Sequence, residues 1–165
     1  MQTHDMNSYI SSVADKYSDM VFRAAYHALC DRHYAEDITQ EVFLQLCRVN
    51  PVFESDEHEK AWLLRVTINM CKNYNKKRFA HPSVELTENI PVHDEYNDGT
   101  VLGAVMSLPQ KYKSVVYLFY YEGYQIKEIS QILDMNQNTV SSLLMRARAK
   151  LKELLKGDFG DEQSV

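Results

Sequence analysis

Residues 126–151 read IKEISQILDMNQNTVSSLLMRARAKL, and the fold of the chain turns on how this stretch divides. Apolar residues recur at three- and four-residue spacing on both sides of Asp134-Met135-Asn136, which predicts helices near Ile126 to Leu133 and Gln137 to Leu155. A three-residue connection leaves room only for a sharp turn, and that is the spacing of a helix-turn-helix. Ser130 supplies a small side chain where the first helix must approach the second. Asn136 is placed as an N-cap, its side-chain oxygen taking up a free backbone N–H. Asp134 is expected in the left-handed region, which Asp tolerates better than most residues, though less well than glycine. In the second helix Val140, Leu144, Ala147 and Leu151 form the inward stripe, so Asn138, Ser142, Met145 and Arg146 face outward, where a DNA major groove would meet them.

Working toward the N-terminus, a short helix is expected at Val101 to Leu108. Pro109 then takes a first-turn position of a helix through Val115, Val116 and Phe119 that Gly123 ends. From about Phe79 to Gly103 helical periodicity fails. Pro82 and Pro91 interrupt, Asn97-Asp98-Gly99 reads as a turn, and cations vanish. Before this tether the spacing predicts three more helices. Val13, Tyr17, Met20, Val21, Ala24, Ala25 and Ala28 stripe the first. The second runs from about Tyr34 to Val49 with Ile38, Val42 and Leu46 inward, and Asn50-Pro51 closes it. The third starts in acids at Asp56 to Glu59, ends in Lys76, Lys77 and Arg78, and turns Ala61, Leu64, Ile68 and Cys71 to the core. The fold class is therefore all-α, two small helical domains joined by an acidic linker. The domains fall at residues 1–79 and 101–156, with the linker at 80–100 and a tail at 157–165.

A net charge of −5 looks wrong for a nucleic-acid binder until it is placed along the chain. Residues 1–79 hold ten Lys and Arg against eleven Asp and Glu, residues 80–103 none against five, and residues 104–165 eight against seven. The excess acid is thus in the linker, and residues 60–78 carry Lys60, Arg65, Lys72, Lys76, Lys77 and Arg78 with no acid. No apolar run is long enough for a bilayer span and the first residues lack a signal-peptide layout, so a cytoplasmic location is expected. Cys30, Cys47 and Cys71 are odd in number and widely spaced, which suits buried free thiols. His27, Cys30 and His33 lack a fourth ligand, so neither metal nor cofactor is expected. With no phosphate loop, nucleophile elbow or HExxH, no enzymatic chemistry is expected either.

Two blocks of residues resemble a family. Ala35-Glu36-Asp37-Ile38-Thr39-Gln40-Glu41-Val42-Phe43, Ala61-Trp62-Leu63-Leu64-Arg65-Val66 and Asn69 are similar to region 2 of extracytoplasmic-function (ECF) sigma factors of bacterial RNA polymerase. Leu108-Pro109-Gln110-Lys111-Tyr112, Glu128-Ile129, Thr139-Val140, Arg146-Ala147-Arg148 and Leu151 resemble region 4 of the same family. The resemblance implies a transcription initiation factor that binds core RNA polymerase and promoter DNA and is held by an anti-sigma factor. It places Asp37, Gln40, Glu41 and Phe43, read as an exposed aromatic beside acids, against the clamp coiled coil of core polymerase. It assigns the loop Asn50 to Glu59 and the third helix to capture of an unstacked base of the minus-ten element. Trp62 would support that base, and Arg65, Asn69, Lys72, Lys76, Lys77 and Arg78 would hold the melting strand. Asn138, Thr139, Ser142, Met145, Arg146 and Arg148 would bind the minus-thirty-five element. The chain departs from the family pattern at Ser141, Leu143 and Ala149, where basic residues are common, and at Asn73, where Asp is usual. Taken alone, the helix-turn-helix also fits a DNA-binding regulator that works without polymerase, which leaves the N-terminal block unexplained.

Overall fold

The computed structural model describes residues 3–80 and 100–159, which divide into two compact units with the break at Lys76–Lys77. The linker residues 81–99 and the end of the tail lie outside the described residues. Among the described residues every regular element is helical.

The first unit is built from α1 (Thr3–Leu29), α2 (Arg32–Val49) and α3 (Asp56–Ala80). The seven stripe residues of α1 are buried as expected, and Leu29 joins them. Ala25, Ala28 and Ala35 are small where α1 meets α2, so these helices approach closely, and Cys71 of α3 closes the cluster beside Phe22, Tyr26, Ile38 and Tyr74. Only Cys30 and Asp31 separate α1 from α2. Cys30 turns the chain at φ 54°, and Asp31 accepts a 3.0 Å hydrogen bond from the Tyr34 N–H as N-cap. Asn50 ends α2 in the left-handed region at φ 46°. In α3 the core face is wider than the sequence stripe: Leu63, Leu64, Thr67, Ile68 and Cys71 are buried, whereas Ala61 is only half-buried. Thr67 belongs there because its hydroxyl donates to the Leu63 carbonyl at 2.7 Å, which satisfies a polar group inside the core. α3 also outruns its expected basic end and continues to Ala80, since the first backbone breaker downstream is Pro82.

The second unit contains α4 (Val101–Met106), α5 (Gln110–Val116), a π-helical turn (Tyr117–Tyr121), α6 (Ile126–Leu133) and α7 (Gln137–Phe159). Thr100 caps α4 through a 3.0 Å bond from Gly103 N–H. Pro109 is the N-cap of α5 and not its first helical residue, with φ −53° and ψ 147°. The helix expected through Phe119 instead widens after Val116. Glu122 N–H reaches back five residues to the Tyr117 carbonyl at 3.1 Å, and a π turn of this kind takes up one extra residue. Gly123, at φ 73°, then closes the element as expected, and Tyr124 N–H bonds the Leu118 carbonyl at 2.9 Å. α7 runs on past Leu155 to Phe159. The core of the unit joins Val105, Leu108, Val115, Leu118, Ile129, Val140, Leu144 and Ala147.

Candidate nucleic-acid interface

The turn between α6 and α7 is built as its residues dictate. Asp134 is left-handed at φ 53° and ψ 51°, and Met135 N–H bonds the Ser130 carbonyl at 3.0 Å. Asn136 Oδ1 accepts from Thr139 N–H at 2.8 Å and from Thr139 Oγ1 at 3.1 Å, so Thr139 is engaged in the cap. At the start of α6, Gln125 N–H donates to Glu128 at 2.8 Å, which makes that acid a structural one. These bonds fix how α7 leaves the pair. Asn138, Ser142, Met145, Ala149 and Lys152 follow at alternating four- and three-residue steps and share the face opposite the core. Met145, 64 % exposed, sits in the middle of it, whereas Ser142 is half-buried. Leu143 is a core residue at 7 % exposure, so no cation is missing from the outer face there. Arg146 and Arg148 lie on opposite edges of the face. Residues 135–152 carry four cations and no acid.

Arg148 is where the structure departs from a simple DNA contact. Its Nε donates to the Tyr120 hydroxyl at 2.6 Å, and its guanidinium carbon lies 5.4 Å from the Phe119 ring centre and 5.6 Å from that of Tyr120. Phe119 and Tyr120 meet edge to face at 4.9 Å.

On α3, Trp62, Arg65, Asn69, Lys72 and Lys76 succeed one another at three- and four-residue steps, so they form one exposed row headed by the half-buried Trp62. Lys77 and Arg78 leave the row around the helix end, both exposed. Among the described residues no carboxylate pairs with any of these cations. Trp62 packs on Phe53 of the preceding loop with ring centres 5.8 Å apart, and Phe53 meets His58 edge-on at 5.3 Å. The loop is held on the α3 side by Glu54 N–H donating to His58 Nδ1 at 3.3 Å. From the α1 side, Tyr9 donates to the buried Glu59 at 2.6 Å, Tyr17 donates to the Asp56 carbonyl at 3.3 Å, and Lys16 pairs with Asp56 at 3.1 Å. Burial first and the Glu59 carboxylate second push the Tyr9 phenol above the usual tyrosine range. Tyr9 continues the α1 stripe four residues before Val13, but its bond to Glu59, fifty residues on, carries no local signal, which is why the sequence alone passes over the clasp.

On α2, Asp37, Gln40 and Glu41 do share a face, but Phe43 is half-buried and lies off that face, so it is not its exposed aromatic. The apolar centre of that face is Leu44, 49 % exposed, three residues from Glu41, four from Gln40 and seven from Asp37. Spacing held this signal, masked by the more conspicuous aromatic neighbour. Arg48 completes the row and pairs with Glu41 at 2.7 Å, while His33 lies 3.8 Å from Asp37.

Comparison with known proteins bears on the same two units. Residues 13–79 match the family model for sigma-70 region 2, and residues 99–151 that for sigma-70 region 4. The ECF RNA polymerase sigma factor SigM of Bacillus subtilis is 28% identical over 164 residues, covering 93% of this chain and 99% of that one. SigW of the same organism is 26% identical over 165 residues, covering 88% of each chain. Among solved structures, the sigma factor RpoE of Bartonella quintana, crystallised with the anti-sigma factor NepR, superposes with a TM-score of 0.68. It is 20% identical and covers 88% of this chain and 96% of that one, a likeness of fold.

Proposed function

The chain belongs to the ECF group of the sigma-70 family, and from that premise we propose how its surfaces divide the work of a sigma factor. As a member of the family it binds core RNA polymerase and directs promoter-specific initiation of transcription. Sigma factors are not enzymes. No helix among the described residues is long and apolar enough to cross a membrane, in keeping with work beside polymerase in the cytoplasm.

The α2 face of Asp37, Gln40, Glu41 and Leu44 docks on core polymerase. Its two carboxylates suit a basic partner helix, and Leu44 supplies the apolar contact that desolvates them. The loop at Phe53 and the head of α3 at Trp62 take an unstacked base of the minus-ten element, and Arg65, Asn69, Lys72 and Lys76 hold its backbone. α7 enters the major groove of the minus-thirty-five element with Asn138, Ser142, Met145 and Arg146. The observation that supports this division most directly is charge: a chain of net −5 carries two cation-bearing helix faces, one in each unit. By analogy with RpoE, which was crystallised with the anti-sigma factor NepR, an anti-sigma factor is a further partner of this chain.

In-vitro transcription with purified core polymerase, followed by mapping of start sites, tests the reading. Initiation at a defined set of promoters only when the chain is added is expected. Tight, sequence-specific DNA binding by the isolated chain, with no stimulation of polymerase, would point instead to a regulator that works alone.

A further inference from the structure

α7 carries two arginines, Arg146 and Arg148, one on each edge of its outer face, and the structure treats them differently. Arg146 is exposed and has no ion-pair or hydrogen-bond partner among the described residues. Arg148 is held three ways, by the 2.6 Å bond from its Nε to the Tyr120 hydroxyl and by the rings of Phe119 and Tyr120 beneath its guanidinium. Those rings sit on the π turn, whose extra residue re-aims the side chains that follow Val116. A directed N–H bond combined with a cation beside two rings suits arginine better than lysine, whose ammonium lacks the fixed fork of donors. The exposed guanidinium is thereby engaged with Tyr120 and Phe119 of the π turn.

We propose that Arg148 is a positioning residue that locks α7 to the aromatic π turn, leaving Arg146 as the guanidinium with which α7 reads a guanine. This rests on the assignment of α7 to the upstream promoter element. It narrows the DNA that the helix selects: one guanine is read by arginine, and the neighbouring positions are met by Met145, Ser142 and Asn138, which suit a thymine methyl group, either base of a pair, and an adenine edge.

The test uses holoenzyme reconstituted with core polymerase on promoters selected by the wild-type protein from a randomised upstream element. Affinity for selected against scrambled elements is measured at several salt concentrations for Arg148→Met, Arg148→Lys, Tyr120→Phe and the Arg148→Met/Tyr120→Phe pair. Tyr120→Phe removes no charge and keeps the ring, so it probes the bond alone. The expected result is a fall in the selected-to-scrambled ratio of about three- to tenfold for Arg148→Met, in line with loss of a bond and a stack. Tyr120→Phe should lower it in the same direction, the pair should be no worse than Arg148→Met alone, and Arg148→Lys should not rescue it. The slope of log affinity against log salt should stay at its wild-type value throughout. Loss of about one unit of that slope in Arg148→Met, restored by Arg148→Lys, with Tyr120→Phe like wild type, would identify a phosphate contact and overturn the proposal. A lower melting temperature with an unchanged ratio would overturn it too, as a matter of stability alone. If the wild-type holoenzyme selects no upstream element, the assignment of α7 falls and this proposal with it.

Discussion

Replacing Leu44 by alanine tests the docking face at the residue that decides it. Leu44 is 49 % exposed, so about half of its side chain is left for the proposed contact with polymerase. Full burial of a leucine stabilises by about 1.5–3 kcal/mol, so covering the remaining half contributes about 0.8–1.5 kcal/mol to docking. At about 1.4 kcal/mol per tenfold, Leu44→Ala should weaken binding to core polymerase by about three- to tenfold. The fold should be unaffected, because alanine is the better helix former and the lost atoms lie on the outer face. Equilibrium binding of fluorescently labelled variant to core polymerase gives the affinity, and a thermal melt of the free protein gives the control. Phe43→Leu, at a half-buried position of the same helix, should leave the affinity within about twofold, since a swap between large apolar residues there costs little. An unchanged affinity for Leu44→Ala, with a marked loss for Phe43→Leu, would return the docking contact to the aromatic and refute the reasoning.

Asn136→Ala should cost about 1 kcal/mol of stability through loss of the α7 cap, lowering the melting temperature of the second unit by about 4–8 °C. A calorimetric scan with no shift would mean that the bonds from Thr139 carry no net weight. Asp134→Gly should stabilise by about 0.5 kcal/mol, because glycine occupies the left-handed region without steric cost and the Asp side chain is exposed; chemical denaturation checks the sign. Tyr9→Phe should flatten the alkaline side of the stability profile. The folded phenol titrates above its unfolded value of about 10, so its contribution is complete below pH 10 and is lost as pH rises beyond that. Wild type and Tyr9→Phe should therefore converge in denaturant midpoint above pH 10, and parallel curves there would show that the clasp is not the source.

The helices, the tight turn at Asp134 and the N-cap at Asn136 were legible because each rests on local chemistry: a period, a left-handed residue, an oxygen in reach of a free N–H. Arg65, Asn69, Lys72 and Lys76 were singled out by the family resemblance and by the lack of acids around them, and their three- and four-residue steps set them on one face of α3. What escaped depends on partners distant in sequence. Arg148 reads as one more cation of a basic helix until Tyr120, twenty-eight residues earlier, is found at 2.6 Å. The π turn escaped because Val115 to Tyr121 keeps an apolar character that an α-helix would accept equally, and only the five-residue bond from Glu122 tells them apart. Phe43 was read as an exposed aromatic because it stands beside acids, but it is half-buried, and the exposed apolar residue on that side of α2 is Leu44.

The chain has a single tryptophan, and it stands at the head of the α3 row, resting on Phe53. Its fluorescence is therefore an optical signal confined to one place in a protein whose other strong absorbers, eleven tyrosines, do not emit when excited at the red edge of the indole band. A base stacking beside this indole would quench it at the moment of capture. Capture of a single-stranded minus-ten oligonucleotide by the isolated protein could then be followed in real time without labels, as a stopped-flow trace whose amplitude disappears in Phe53→Ala if the loop side chain is what holds the indole in place.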